Sequence, residues 1–153
     1  MSTSIAVTNG PSESDHDYDS AMASIFTRII NGEIPGRIIW DDDSCIAMLD
    51  IRPLHPGHTL VIPKLEIDQW TDLPAEIATH LMSVAHMIGR AQRQVVPCER
   101  VGLMIAGFEV PHTHVHVVPL QSMANLDFGN ADVSPMADAL DQVAEDMLAA
   151  LAR

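Results

Sequence analysis

Three histidines alternate with other residues late in the chain, and this row is the clearest candidate for chemistry. The segment reads His112-Thr113-His114-Val115-His116-Val117-Val118. Near neutral pH an imidazole can act as a base, a nucleophile, a hydrogen-bond donor or a metal ligand. Alternate side chains of a β-strand share a face, so the rings would project together about 6.7 Å apart, from a rise of roughly 3.3 Å per residue. Such a row is costly as plain core, because each ring has two nitrogens to satisfy.

A metal site and a covalent nucleophile are the two chemical interpretations of this row. A His-x-His pair on a strand suits zinc, and a third histidine could complete an open site. On a straight strand, however, the outer rings lie about 13 Å apart, too far to share one ion. In the alternative, the central imidazole is held at one nitrogen and attacks with the other, while its neighbours donate to oxygens that gain charge. Phosphorus is the electrophile that fits such a donor-rich row.

The elements that must position the row are predicted to form one α+β domain. Apolar spacing predicts a short helix after the N-cap Ser24, a long helix over about 74–95 and a last helix opened by Ser134-Pro135. Five β-prone runs predict strands at 37–40, 45–49, 58–62, 101–106 and 113–118. The short connections favour an antiparallel sheet with helices packed to one side. We expect this domain to span 23–153, preceded by a disordered acidic tail over 1–22.

Composition narrows the possible partners. The formal net charge of -13 removes the broad positive field on which nucleic-acid binding mostly depends. Phosphate recognition would then rest on backbone N–H groups, on histidines and on single cations such as Arg52 and Lys64. No apolar run approaches the roughly 18 residues of a membrane span, so we expect no membrane association. The two cysteines, Cys45 and Cys98, suggest reduced thiols in a cytoplasmic protein.

The row also carries a resemblance to a known family. The letters HTHVHVVP, from His112 to Pro119, are similar to the signature of the histidine triad (HIT) family of nucleotide hydrolases and transferases. The segment from Ser24 to Lys64 resembles the amino-terminal half of the histidine triad nucleotide-binding proteins. The resemblance implies a HIT-like fold, a two-fold homodimer formed through the long helix and the sheet edge, and no cofactor. It also implies hydrolysis of purine nucleoside phosphoramidates or related nucleotidyl conjugates, through a covalent nucleotidyl-His114 intermediate.

The resemblance assigns roles to further residues. His112 and His116 would assist by hydrogen bonding, His58 would be a further pocket histidine, and Asp50 would contact the ribose hydroxyls. The remaining residues implied for nucleotide binding are Ile25, Phe26, Ile29, Ile34, Ile51, Leu60, Gly107, Glu109 and Val110. From their types alone, the apolar ones would pass as ordinary core, and Asp50 and Gly107 as turn residues.

The sequence departs from the family pattern at two places. Many bacterial members hold a zinc ion where this chain has Ser24, Thr27 and Glu66 beside His112, so no structural zinc is expected. Glu109 stands where related phosphoramidases have a serine. An ionised Glu109 beside phosphate would repel it, so the side chain turns away, contacts a cationic leaving group, or makes turnover poor.

Three other functions stay open at this point. The chain could cleave dinucleoside polyphosphates by the same chemistry, although the extra phosphates would need cations. It could be a nucleotide-binding regulatory module with weak catalysis. Metal-dependent hydrolysis through the histidine row is the third alternative.

Overall fold

The computed structural model describes residues 22–153, so the tail expected over 1–22 lies, except for Met22, outside the described residues. Three α-helices occur in this part of the chain: α1 (Ile25–Ile30), α2 (Ala75–Val95) and α3 (Ala137–Leu151). Five strands accompany them: β1 (Ile38–Asp41), β2 (Cys45–Leu49), β3 (Thr59–Pro63), β4 (Arg100–Met104) and β5 (Val115–Leu120). Short 3-10 turns lie between β3 and α2 and after β5. None of the helices in 22–153 is both long and apolar enough to cross a membrane.

The strands form one antiparallel sheet in the order β1-β2-β3-β5-β4. The predicted α+β class with an antiparallel sheet of five strands is therefore confirmed. β5 lies between β3 and β4, with Leu60 opposite His116 and Gly102 opposite Val118. This register places the last histidine of the row, His116, beside the beginning of β3. It leaves β4 at one edge of the sheet.

Both faces of the sheet are covered, because every residue of β2 and of β3 is buried. On one face α2 packs its apolar side, including Leu81, Val84 and Ile88, against the sheet, and α3 packs against α2. On the other face α1 places Phe26 and Ile29 against a second apolar cluster of the sheet. The prediction of helices on one side thus holds for the two long helices and is wrong for α1. The physical reason is that the central strands are buried on both faces. Their alternate residues point to opposite faces, so apolar side chains need cover on both sides of the sheet.

The strand that carries the histidine row begins later than predicted. Strand β5 begins at Val115, so only His116 of the row is in paired β-structure. Before it, the Thr113 amide and hydroxyl both donate to the carbonyl of Ile67, and the His112 amide donates to the carbonyl of Val110. The loop after β3, rather than a neighbouring strand, therefore pairs with this part of the chain.

Candidate functional site

A cavity of about 420 Å³ opens between α1, the ends of β2 and β3, and the loop that precedes β5. His114 and His116 lie in its wall. All ten residues that the sequence suggested for nucleotide binding line it as well: Ile25, Phe26, Ile29, Ile34, Asp50, Ile51, Leu60, Gly107, Glu109 and Val110. His58 and His112 are buried behind this lining. The structure thus separates the four predicted catalytic histidines into a pair that faces the cavity and a pair that supports it.

His114 presents one nitrogen to the cavity because the other is bonded to the backbone. Its Nδ1 lies 2.7 Å from the carbonyl oxygen of His112. A carbonyl can only accept, so Nδ1 carries the proton and the lone pair of Nε2 is free. The Nε2 atom makes no hydrogen bond with the part of the chain that the structure describes. The ring of Phe26 packs edge-on against the imidazole at 5.0 Å between centroids and limits its rotation.

His116 presents the opposite polarity. The Leu54 amide donates to His58 Nδ1 at 3.1 Å, so His58 must carry its proton on Nε2. That Nε2 lies 2.9 Å from His116 Nδ1 and donates to it. His116 then has its own proton on Nε2, directed away from His58. The Leu54 amide therefore fixes the tautomer of His58, and His58 fixes that of His116. The result is a hydrogen-bond donor, His116 Nε2–H, on the wall of the cavity.

Burial keeps the rings of His58 and His116 neutral. Desolvation, with a further contribution from the nearby His114, lowers the pKa of His58 to about 4. Desolvation together with His58 and His114 lowers the pKa of His116 to about 3, although Asp50 opposes the shift. Both imidazoles are therefore neutral at pH 7, as the chain of hydrogen bonds requires. The rings of His114 and His116 stack edge-on at 4.9 Å between centroids, so a nucleophilic and a donating nitrogen share one wall.

His112 has no nitrogen left for a ligand. Its Nε2 donates to the carbonyl of Pro63 at 2.8 Å, and its Nδ1 accepts from the hydroxyl of Ser24 at 2.6 Å. The ring is fully buried. Its pKa is lowered by desolvation, against the opposing effects of Pro63 and Glu66. His112 thus contacts the nucleophile through its backbone carbonyl and the rest of the fold through its ring.

The four positions that the resemblance relates to a zinc site do converge, but their donors do not suit that ion. Thr27 donates to Glu66, the Ser24 amide donates to the same carboxylate at 3.1 Å, and the Ser24 hydroxyl donates to His112. Zinc in structural sites takes thiolates and imidazoles, whereas these side chains are two hydroxyls, a carboxylate and an imidazole with both nitrogens in use. The residues present do not fit a structural zinc.

Two other groups in the described chain bring three ligand-type atoms within 4.8 Å of one another. Asp50, His58 and His116 form one group at the cavity, where the two rings already share a hydrogen bond. Asp42, Cys45 and His80 form the other group beside the β1–β2 turn. Burial, reinforced by Asp42, raises the pKa of the Cys45 thiol to about 12, so this sulfur keeps its proton. In the second group the Asp42 carboxylate already accepts from His80 and from the Ser44 and Cys45 amides.

Asp50 faces the cavity with one carboxylate oxygen committed and one available. Its Oδ1 accepts from the Arg52 amide at 2.8 Å, while Oδ2 lies 3.8 Å from His58 Nε2. Burial raises the pKa of this carboxyl, and the Arg52 amide and the nearby histidines oppose that shift. A partly buried carboxylate with a free oxygen is a suitable acceptor for a hydroxyl of a bound ligand.

The rim of the cavity carries charge. Glu109 lies 3.2 Å from Arg52, and both side chains are largely exposed. Among the described residues that line the cavity, Arg52 is the single lysine or arginine. Lys64, the other suggested cation, pairs with Asp41 at 2.7 Å and does not line the cavity. Nearby Gly107 has φ of 84°, a backbone conformation that favours glycine, where the chain turns into the loop before the histidines.

Sequence reasoning missed part of the wall. Phe128, Ala131 and Val133, from the irregular segment after β5, line the cavity, and the Phe128 ring lies 5.2 Å from that of His116. This segment has no helical or strand periodicity to reveal it. The available signal was composition: the chain has three phenylalanines, and Phe26, Phe108 and Phe128 all line the cavity. Phe108 is almost completely exposed at the rim.

Comparison with known proteins identifies the same domain. The family model of the HIT domain matches residues 31–123. A HIT-like protein of Methanocaldococcus jannaschii is 32% identical over 105 residues, which are 62% of this chain and 77% of that protein. An adenylylsulfatase of Arabidopsis thaliana is 32% identical over 100 residues, which are 62% of this chain and 51% of that protein.

Solved structures agree. A zinc-bound histidine triad family protein from Mycobacterium smegmatis superimposes with a TM-score of 0.74 and 32% identity, covering 86% of this chain and 95% of that one. A HIT-like protein from Bartonella henselae superimposes with a TM-score of 0.71 and 28% identity, covering 83% of this chain and 95% of that one. With His114 and His116 on the cavity wall of the matching fold, the chain belongs to the histidine triad (HIT) family, whose members are nucleotide-binding, hydrolase-like proteins.

Proposed function

We propose that this chain is a metal-independent hydrolase that cleaves purine nucleoside phosphoramidates or related nucleotidyl conjugates at the α-phosphate, with His114 as the nucleophile. The observation that carries the proposal is the fixed polarity of two neighbouring rings. His114 turns an unprotonated Nε2 to the cavity, and His116 turns a protonated one. Nucleophilic attack on phosphorus needs a lone pair on one side and a hydrogen-bond donor for the oxygens that gain charge on the other.

The chemistry follows from these two nitrogens. His114 Nε2 attacks the α-phosphorus, the bond to the leaving group breaks, and a nucleotidyl-His114 intermediate forms, while an amine leaving group takes a proton from solvent at the open rim as it departs. The ring then carries positive charge, which the His112 carbonyl stabilises through the Nδ1 proton. His116 donates from Nε2 to a phosphate oxygen throughout. Water attacks the same phosphorus in a second step and loses one proton to solvent, the bonding electron pair returns to Nε2, and the step releases the nucleoside monophosphate and restores the neutral imidazole.

The remainder of the cavity supports a nucleoside. Apolar side chains, with Phe26, Ile29 and Leu60 among them, make up much of its wall, and this suits a flat purine ring. Asp50 offers its Oδ2 at the wall for the ribose hydroxyls. The cavity volume of about 420 Å³ is in the range of small-molecule sites. The exposed Arg52 and Glu109 mark the side at which the leaving group would emerge.

Charge at the rim argues against dinucleoside polyphosphates as the preferred substrates. A polyphosphate leaving group would meet Arg52, which Glu109 already neutralises, and Lys64 lies elsewhere. A leaving group with fewer negative charges than a polyphosphate suits this rim better. Because one relative is an adenylylsulfatase, adenylyl sulfate belongs with an adenosine phosphoramidate among the substrates to be tried.

The test is turnover of an adenosine phosphoramidate and of adenylyl sulfate by the wild type and by His114→Ala. We expect release of AMP by the wild type and a loss of at least about a thousandfold in the variant. An acid quench during turnover should trap AMP on the wild-type protein, at a position that maps to His114. His55→Ala, a histidine outside the cavity lining, is the matched control.

Two results would contradict the proposal in different ways. Equal rates for the wild type and His114→Ala would remove the nucleophile. Tight AMP binding without turnover or trapped intermediate would instead favour a regulatory nucleotide-binding module.

We also propose that the protein is a cytoplasmic homodimer. The support for association is the outer surface of α2 beside the edge strand β4, where Met82 and Leu103 are exposed around a shallow groove. The support for the location is the pair of cysteines, Cys45 and Cys98, which are not bonded to one another.

A further inference from the structure

A chain of hydrogen bonds runs from an exposed loop to the nucleophile. It begins at Glu66, between β3 and α2, and passes through Thr27 and Ser24 at the start of α1 to the buried ring of His112. We name these four residues the Glu66 chain. No member of it lines the cavity.

The direction of each bond in the Glu66 chain is determined. The Pro63 carbonyl accepts from His112 Nε2, which therefore holds the ring proton, and His112 Nδ1 must accept. Its donor is the Ser24 hydroxyl, whose oxygen also accepts the Thr27 amide at 3.1 Å as the N-cap of α1. The Glu66 carboxylate in turn accepts from the Ser24 amide and the Thr27 hydroxyl.

The last link connects the Glu66 chain to the chemistry. The carbonyl of His112 accepts the Nδ1 proton of His114, and this bond leaves the lone pair on Nε2 of His114. The same short helix places Phe26 against both rings, at 5.9 Å from His112 and 5.0 Å from His114 between centroids. A change that shifts the first turn of α1 therefore reaches His114 by two routes, through the carbonyl of His112 and through the ring of Phe26.

We infer from this geometry that Glu66 is a positioning residue for His114: it holds Ser24 and Thr27, and through His112 it keeps the nucleophile in its Nδ1-protonated tautomer. The hydrogen bonds of the Glu66 chain tie α1, the loop after β3 and the histidine row into one unit. Hydrogen bonds from Thr27 and Ser24 lower the pKa of Glu66 despite its partial burial, as expected for a carboxylate that serves as the acceptor.

The decisive experiment reads the tautomers directly. Protein labelled with ¹⁵N in histidine gives, for each ring, two-bond and three-bond correlations that identify which nitrogen carries the proton. In the wild type we expect His114 protonated on Nδ1 and His112 on Nε2. In Glu66→Gln we expect His114 to populate both neutral tautomers, because one of the acceptor oxygens is replaced by a donor. Glu33→Gln is the matched control, since this carboxylate also lies next to α1 but pairs with the exposed Arg28.

Kinetics supply the second readout and rest on the proposed function. We expect kcat of Glu66→Gln to fall about tenfold with KM within about twofold, because the cavity that binds the nucleotide is untouched while the nucleophile is misaligned. Thr27→Val removes only one hydroxyl of the Glu66 chain, so it serves should Glu66→Gln fail to fold, and it should show the same split. Glu33→Gln should keep wild-type kcat.

The outcomes separate the two ideas. Unchanged tautomers and unchanged kcat in Glu66→Gln and Thr27→Val would overturn the positioning role. A tautomer change in a protein whose wild type hydrolyses no nucleotidyl substrate would support the positioning role and refute the proposed function. Loss of substrate affinity with normal tautomers would show that the Glu66 chain only shapes the cavity, and this also overturns the inference.

Discussion

At the scale of single residues, the site depends on imidazole tautomers that are fixed by backbone groups. The Leu54 amide forces His58 and then His116 into one tautomer, and the His112 carbonyl forces His114 into the other. Neither assignment depends on a charged partner. The active form therefore requires that His58 and His116 stay neutral, and the fold enforces this by burying them.

This burial predicts a specific loss of stability in mild acid. The pKa values of His58 and His116 are lowered to about 4 and about 3 in the folded state, whereas free histidine titrates near 6.5. Below pH 6.5 the unfolded chain takes up protons that the folded chain does not, so the rings' contribution is complete above this pH and is lost as pH falls towards 4. Between pH 7 and pH 5 we expect the free energy of unfolding to fall by about 3 kcal/mol on account of the two rings.

Urea unfolding at both pH values measures this fall. The variant His58→Gln/His116→Gln should lose about 3 kcal/mol less than the wild type over the same interval. His55→Gln, in the loop between β2 and β3 and outside the cavity lining, should retain the wild-type pH dependence. The same pH dependence in the double variant and the wild type would show that these rings are not neutral in the fold.

The charge at the rim predicts leaving-group preference. Glu109 sits opposite Arg52 at 3.2 Å and is largely exposed, so it repels an anionic leaving group weakly and attracts a cationic one. We expect Glu109→Gln to raise kcat/KM for adenylyl sulfate about threefold and to lower it by a similar factor for a phosphoramidate with a cationic amine. Both effects should shrink at high salt. Glu145→Gln, on α3 away from the cavity, should change neither, and parallel changes for the two substrates would contradict the charge argument.

At the scale of elements, the sequence predicts those parts that depend on local pattern. α1 begins after the predicted N-cap, whose hydroxyl does accept from the Thr27 amide, and β2 and α2 have nearly the predicted bounds. The face on which α1 packs and the start of β5 could not be predicted in this way. Both depend on contacts between distant segments, such as the bond of Ser24 to His112, which are 88 residues apart.

The same distinction applies to the site. The sequence predicts the histidine row and the residues around the cavity, because their types and the family resemblance point to them. It does not predict which ring nitrogen is free, because that depends on Leu54, Ser24 and Pro63, none of which has a chemical signature of its own. Phe128 escaped prediction because the segment after β5 has no periodicity.

One buried side chain connects the elements and gives a prediction at this scale. Gln92 of α2 is fully buried, and its Nε2 donates to the carbonyls of Gly57 and Val117 at 2.8 and 2.9 Å. These bonds tie α2 to β5 and to the loop that carries His58. Gln92→Leu leaves both carbonyls without this donor, and we expect the free energy of unfolding to fall by about 1–3 kcal/mol.

Urea denaturation of Gln92→Leu against the wild type measures this cost. Gln94→Leu, an exposed glutamine on the same helix, is the control and should stay within about 0.5 kcal/mol of the wild type. Similar stabilities for the two variants would mean that the buried amide does not tie the elements together.

At the scale of the whole molecule, net charge and an exposed apolar surface act against one another. The formal charge of -13 makes two copies repel, whereas the outer surface of α2 and the edge strand β4 offer apolar contact. Met82 and Leu103 are each more than two fifths exposed there, beside Arg90 and Arg93. Because screening weakens the repulsion and leaves the apolar contact intact, the proposed dimer should be tighter at higher ionic strength.

Sedimentation of the full chain at low and high salt tests this balance. We expect a dimer at micromolar concentration whose dissociation constant falls as salt is added. Met82→Lys or Leu103→Lys should weaken association at least about tenfold, because each places a charge in the apolar contact and leaves it unpaired. Leu148→Lys makes the same change at an exposed position on α3 and should leave association as in the wild type. A monomer under all conditions, or equal weakening by all three substitutions, would contradict a dimer interface on this surface.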